Sequence, residues 1–276
     1  MSLVAALWES VKPTLCVMGF GFSVMTAVEL LTPRKRQSLC GRLPGLLFWA
    51  VWLAISGIAY AAFRVLWTAI GIPPLLTLPT GAGWGGPVAW VVAPIVGAAI
   101  YDFFFYWCHR AQHRWLWRYH AVHHSIRELS VVNAYHHPIE PFVQILLIAI
   151  PTSLIASEAG PVVPTMLVLL HLQGAFLHSP SHWHLGPLSR VVVDNRFHRI
   201  HHSVEPRHFD HNFGAFTTIW DRMFGTAWWP DRDEWPATGI AEVDQPRTLH
   251  QRITLPVAYD RAVAAETRRP DPIERI

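Results

Sequence analysis

The sequence predicts an all-α fold: a polytopic helical membrane protein with a cytoplasmic helical cap that holds a histidine-rich dimetal site. Three observations predict it. Of 276 residues, 51% are hydrophobic and only 15% are charged, well below the ~25% charge of an average soluble domain. The apolar residues are bunched into long runs. Sixteen of the 17 histidines fall between His109 and His211, with only His250 outside; a compositional accident would have scattered them. The same figures exclude disorder. A net charge of +3 is too small to argue for nucleic acid. The cysteines (Cys16, Cys40 and Cys108) are odd in number and widely spaced, so they make neither a disulfide framework nor a Cys-pair metal site.

The runs come in order. Residues 14–31 are broken only by Glu29, residues 46–67 carry Arg64 near their end, and residues 88–107 have Asp102 as their only charge. A span needs about 20 predominantly apolar residues, and these three meet that test. Residues 142–156 and 162–177 are shorter and separated by Glu158-Ala159-Gly160-Pro161. They are expected to form one apolar hairpin, partly re-entrant. A buried soluble core explains one such run, not five in the first 180 residues. Residues 1–13 carry Glu9 and a single Lys12 and lack the pattern of a cleavable signal, so the first run is expected to be a retained span. The glycine run at 81–86 lacks the strand-then-helix context of a nucleotide loop and is expected to be a turn between spans.

Charge sets the orientation. Arg34, Lys35, Arg36 and Arg42 follow the first span, which places that loop in the cytoplasm. The third span then returns beside Arg110, Arg114 and Arg118, again cytoplasmic. If the hairpin enters and returns, everything from His178 onward lies on the same face, so both halves of the histidine cluster do too. That membrane is the inner membrane of a prokaryote or the endoplasmic reticulum of a eukaryote. One domain is expected over 1–276: spans in 1–107, a histidine-motif region in 108–226, and a polar tail of short helices and loops in 227–276.

Four histidine groups stand out: His109 with His113, His120 with His123 and His124, His178 with His182, and His198 with His201 and His202. Residues i and i+4 share a helix face and i+3 lies close by. On one helix, or two in line, the first five imidazoles fall within an arc of about 100°. Clustered ionisable residues at a membrane boundary are costly and mark a site. Ten imidazoles exceed one tetrahedral ion and suit two ions of five or six ligands each. Structural zinc needs four ligands, commonly thiolates; two redox-active irons with open positions suit O2 chemistry on an apolar substrate. Neutral imidazoles leave that charge uncompensated, so Asp102, Glu128, Asp194 and Asp210, all near the groups, are expected to orient ring N–H groups and offset it. His171, His184, His208, His211 and His250 are expected to be unrelated to metal. Phe103, Phe104, Phe105, Tyr106, Trp107, Trp115 and Trp117 are either a substrate-access lining or an interfacial aromatic belt, and Trp228 and Trp229 are expected to anchor the cap to the membrane surface.

At these residues the sequence resembles the fatty acid hydroxylase/sterol desaturase superfamily. The resemblance runs from about Asp102 to Thr226. It rests on Tyr106-Trp-Cys-His-Arg-Ala-Gln-His113, Leu116-Trp-Arg-Tyr-His-Ala-Val-His-His-Ser125 and Asn133-Ala-Tyr-His-His-Pro138. It continues through His178 and His182, Phe197-His-Arg-Ile-His-His-Ser203, Asn212-Phe-Gly and Ile219-Trp-Asp-Arg-Met-Phe-Gly-Thr226. Asp194-Asn195-Arg196 stands where Thr/Ser-Pro is often found. The resemblance implies a helical membrane protein with a cytoplasmic di-iron centre ligated by the ten imidazoles named above, with His137 a supporting or access-channel residue and His136 a less favoured ligand. It implies O2 as cosubstrate and hydroxylation or desaturation of an unactivated C–H bond in a sterol, fatty acyl, sphingoid, ether-lipid or carotenoid substrate. No His-Pro-Gly-Gly heme motif or dinucleotide fingerprint occurs, so electrons are expected from an external NAD(P)H-linked donor, a ferredoxin or a cytochrome b5 with its reductase. The other classes are a zinc-dependent membrane hydrolase or isomerase on the same site, and a metal transporter or sensor, which would place its ligands mid-span.

Overall fold

The computed structural model describes residues 3–36, 39–78, 88–157 and 162–267. Helix α1 (Leu3–Leu31) stops just before Pro33, and proline cannot continue a helix. Helix α2 (Leu39–Ile70) ends at Gly71, whose φ of +69° and N–H bond to the Trp67 carbonyl (3.1 Å) make a left-handed C-terminal cap. Helix α3 (Ala93–Trp115) begins with Pro94 in its first turn, where the missing N–H costs nothing. After a break at Leu116 comes α4 (Trp117–His124).

The stretch expected to form a hairpin carries helix α5 (Glu140–Ser153) and helix α6 (Val162–Leu177); its turn at 158–161 lies outside the described residues, as does the glycine run at 81–86. A π-helical stretch at Ile145–Ala149 precedes Pro151 within α5, a widening that absorbs the hydrogen bond proline cannot make. Among the described residues one small departure from the all-helical expectation stands out. Strand β1 (Leu76–Leu78) pairs parallel with strand β2 (Ile155–Ser157), tying the loop after α2 to the end of α5.

Among the described residues, two helices are long and apolar enough to cross a membrane, Arg42–Ile70 and Trp90–Trp115. The first is apolar all round, with Ile58, Val65 and Leu66 each at least 60% exposed, a pattern that suits lipid rather than water. The apolar stretch of α1 with described side chains, Leu15–Leu31, is shorter than a crossing helix. Helix α6 packs against α3 and α1, and α2 packs against α1 and α5.

Two features join the histidine-bearing region to the apolar helices α1 and α2. Glu29 of α1 and Arg42 of α2 form a buried ion pair, and Glu29 Oε1 also accepts the Val131 N–H (2.8 Å). A core of Phe48, Ala121, Val122, Ile126, Leu129, Tyr135 and Leu255 then links α2, α4 and the C-terminal helix α9. The remaining cap helices are α7 (Asn195–His201), α8 (Ile219–Met223) and α9 (Leu249–Thr267). The 19-residue α9 corrects the expectation of a tail made mostly of short helices and loops: it lies along α4, with Arg118–Asp260 (3.0 Å) and Trp117–Tyr259 (2.9 Å) bonds between them.

Candidate metal centre

Three short elements aim the histidines. His109 and His113 are one turn apart near the end of α3. Two turns earlier on the same helix, Asp102 accepts the N–H groups of Ala215 (2.9 Å), Phe216 (3.0 Å) and Thr217 (2.9 Å). Asp221 accepts those of Phe213 and Gly214, both at 2.8 Å. The two carboxylates shape the 213–217 loop, whose Phe213 carbonyl takes the His109 Nδ1–H bond at 2.8 Å. Helix α7 has only seven residues and needs a strong cap to form at all; Asp194 supplies it, accepting from Arg196 N (3.1 Å) and Phe197 N (2.9 Å).

The imidazoles converge in two groups. His109, His113, His120, His124 and His201 form one, and His123, His178, His198 and His202 the other; within each, one nitrogen per ring lies within 4.8 Å of the others. The facing nitrogens approach closely: His109 Nε2 to His120 Nε2 is 3.0 Å, and His113 Nε2 to His124 Nε2 is 3.2 Å. In the second group His178 Nε2 is 3.3 Å from His123 Nε2 and 3.1 Å from His198 Nε2, and His202 Nε2 is 3.2 Å from His198 Nε2.

The His109–His120 and His123–His178 approaches are not hydrogen bonds. His109 Nδ1 faces a carbonyl, and His120 Nδ1 faces the Glu140 carboxylate at 3.1 Å. Each must donate from Nδ1, so in the neutral ring Nε2 carries a lone pair. The same holds for His123, bonded to the Tyr135 carbonyl (3.1 Å), and His178, bonded to that of Gly174 (3.1 Å). His201 donates from Nδ1 to the His211 carbonyl (2.8 Å), and its buried Nε2 has no partner. Lone pairs facing lone pairs repel unless a cation stands among them, so this donor set fits two metal ions. Burial, then the neighbouring imidazoles, pushes His123, His124, His198, His201 and His202 well below the ordinary histidine range, which keeps them neutral and able to ligate.

The fatty acid hydroxylase family model matches residues 94–226, the stretch that carries all of these imidazoles. The rice (Oryza sativa subsp. indica) very-long-chain aldehyde decarbonylase GL1-11 is 30% identical over 200 residues, 70% of this chain and 68% of its own. This chain belongs to the fatty acid hydroxylase family. It is also 33% identical over 157 residues to the ornithine lipid hydroxylase OlsE of Rhizobium tropici, covering 56% of this chain and 46% of that one. It is 28% identical over 181 residues to the alkylglycerol monooxygenase of Xenopus tropicalis, covering 63% and 36%. The chain thus spans less than half the length of these last two. No solved structure matches it.

Nine of the ten family-motif imidazoles come together, but the grouping crosses the motifs. His123 leaves its neighbours for the second group, and His201 joins the first. The reason is the break at Leu116 (φ −123°, ψ 19°), which turns α4 out of line with α3. His182 is not brought to either group. Its side chain is exposed, and its backbone N–H is held by the Thr32 carbonyl at 2.8 Å. Pro180, inside that motif, ends the helical spacing that would carry His182 back toward His178. His136 stands closer than expected, stacked on His123 with ring centroids 4.0 Å apart and its Nδ1 3.1 Å from Glu140.

Glu140 is the residue that sequence reasoning missed. Fully buried, it holds His120, His136 and, through Oε2, the Gln112 amide (2.8 Å). Its signal was the four-residue spacing from His136. The four carboxylates singled out from sequence divide. Asp210 lies 3.5 Å from His113 Nδ1, as expected of a residue that orients a ring. Asp102 and Asp194 hold backbone N–H groups instead, and Glu128 is exposed. His137 accepts the Ile139 N–H (3.2 Å) and reaches the Ile253 carbonyl (3.4 Å), tying the cap to α9.

His208, expected to be unrelated to metal, is buried against Glu234 (3.1 Å). Arg207 bridges Glu205 and Glu234 there, at 2.8 and 2.6 Å, so that cluster already has its cation. Trp228 and Trp229 are half-buried. Trp228 packs on His208 and His211, and Trp229 on Phe197. Of the aromatics flanking the first motif, Tyr106 is fully buried and bonds Thr226 (3.0 Å), whereas Trp115 is 77% exposed.

Proposed function

We propose that this chain is a multi-pass membrane oxygenase that holds two irons and uses O2 to hydroxylate, or desaturate, an unactivated C–H bond of a lipid. The observation that carries the reading is the pair of imidazole groups, in each of which Nε2 lone pairs oppose: His109 against His120 in the first, and His123 against His178 in the second. The names of the relatives, a lipid hydroxylase, an alkylglycerol monooxygenase and an aldehyde decarbonylase, support it. Five imidazoles would hold one ion and four the other, with His136 adjoining the second group. When bound, the irons supply the activation of O2 that no side chain can perform.

The chain's own residues do the rest. Burial around the imidazoles excludes water. Glu140 sets the His120 tautomer and offsets positive charge, and Asp210 does the same for His113. An apolar crevice of about 580 Å³ between α1 and α2, lined by Met18, Phe22, Trp49 and Leu53 among others, suits a lipid chain. From Trp49 a run of ring contacts leads inward: Trp52 edge-on (6.3 Å), His136 tilted against Trp52 (5.6 Å), and His123 stacked on His136. Ring contacts thus link the crevice wall at Trp49 to the second imidazole group. The basic loop after α1 supports a cytoplasmic cap, where an external NAD(P)H-linked donor, a ferredoxin or a cytochrome b5 with its reductase, would deliver electrons.

The test is turnover under 18O2 in membranes that also contain a reductase system, with lipid profiling. A lipid gaining 18O, or a new double bond formed only with O2, is expected. Bound zinc with turnover unaffected by removing O2 overturns the reading in favour of a zinc hydrolase.

A further inference from the structure

His182, excluded from the imidazole groups, lines a separate cleft of about 360 Å³ with Arg34, His184, Arg196, Arg232 and Asp233. We propose that this cleft binds a phosphate-type anion. Three guanidiniums face one carboxylate there. Most of their described bonds go to neutral acceptors: Arg196 Nη2 donates to the carbonyls of Asp231 and Arg232 (2.8 Å for the second), and Arg34 Nη2 to that of Asp233 (3.3 Å). These bonds fix the guanidiniums without neutralising them. Arg34 also lies over the Trp235 ring at 4.6 Å. Arg196 Nε is buried and has no hydrogen-bond partner. Burial and the nearby Arg196 both push Arg34 below the ordinary arginine value, so the cleft holds cations at a cost that an anion removes.

The donors suit phosphoryl oxygens. Guanidinium forks bind them bidentately. His184 Nδ1 accepts the Gly186 N–H at 3.0 Å, which leaves its Nε2–H free to donate. Position puts the cleft beside the apolar end of α1. The cleft is built where α1 ends: Arg34 N bonds the Pro180 carbonyl and His182 N the Thr32 carbonyl, both at 2.8 Å. Leu30 and Leu31, at 55% and 82% exposure, stand just before it on the apolar side. A phospholipid headgroup at that boundary or a free phosphate presents the same chemistry.

The test uses the full chain purified in detergent, titrated with inorganic phosphate and with short-chain phosphatidic acid. Saturable binding of at least one probe is expected, weakened by about tenfold in Arg34→Gln, Arg196→Gln and Arg232→Gln, the loss of one charge-assisted bond. Preference for phosphatidic acid identifies a lipid headgroup; equal affinity identifies free phosphate; either supports the site. Metal content reports whether each variant is folded. If the Arg34 and Arg196 variants do not fold, Arg232→Gln, exposed at the rim, carries the test alone. No saturable binding of either probe, or wild-type affinity in the folded variants, overturns the proposal.

Discussion

Glu140 places a negative charge beside the first imidazole group and holds His120 and His136 at once, both at 3.1 Å. Glu140→Gln keeps its shape and removes its charge. Bound iron and turnover should each fall by about 10–100-fold, the usual effect of losing a residue that supports a metal ligand, read by metal analysis and product formation on the same sample. His201→Ala should lose metal, because its Nε2 has no partner in the protein, whereas His182→Ala should keep full metal occupancy. Metal loss in His182→Ala would mean that its exposed position is wrong. The residue types were legible in sequence: spacing alone selected ten imidazoles, nine of which converge. Their partners were not, because spacing reports faces of one helix, while Glu140 reaches His120 from a different helix and Asp102 spends its charge on a loop more than a hundred positions later.

Two elements decide whether the site is held. The Glu29–Arg42 pair links α1, α2 and the chain at Val131. Removing one partner leaves a buried charge alone, so Glu29→Ala or Arg42→Ala should cost roughly 3–5 kcal/mol, whereas replacing both by apolar residues should recover most of it. Thermal unfolding in detergent checks both. Leu255 of α9, 3% exposed in the core with Phe48 and Tyr135, should cost about 2–5 kcal/mol as Leu255→Ala, and an unchanged unfolding midpoint would mean α9 is not part of the core. Hydropathy gave the long helices because apolar length is a local property. It could not give the turn at Leu116, since the hundred-degree spacing of histidines continues across it, nor α9, whose internal Pro256 reads as a helix breaker.

At the scale of the whole molecule, the buried neutral imidazoles tie stability to pH. For His123, His124, His198, His201 and His202 the folded value lies below the ordinary 6.5. The unfolded chain therefore binds more protons once pH falls below 6.5, and the stability present above that pH is lost as pH falls toward the folded values. Midpoints of denaturant unfolding for the metal-free protein should be level above about pH 7 and drop steadily below about 6. A flat profile would mean those rings are not buried.

The general plan, apolar helices supporting a histidine-rich cap, was legible because both patterns are dense. The division of the imidazoles into five and four was not, since it depends on how α3, α4 and α7 cross. The most direct test of the centre itself is metal analysis of the purified full chain, with Mössbauer spectroscopy of the 57Fe-loaded protein. Two irons per chain are expected, with signals of two inequivalent imidazole-rich sites, and a single remaining site in His201→Ala. Stoichiometric zinc without iron, or wild-type iron content in His201→Ala, would contradict it.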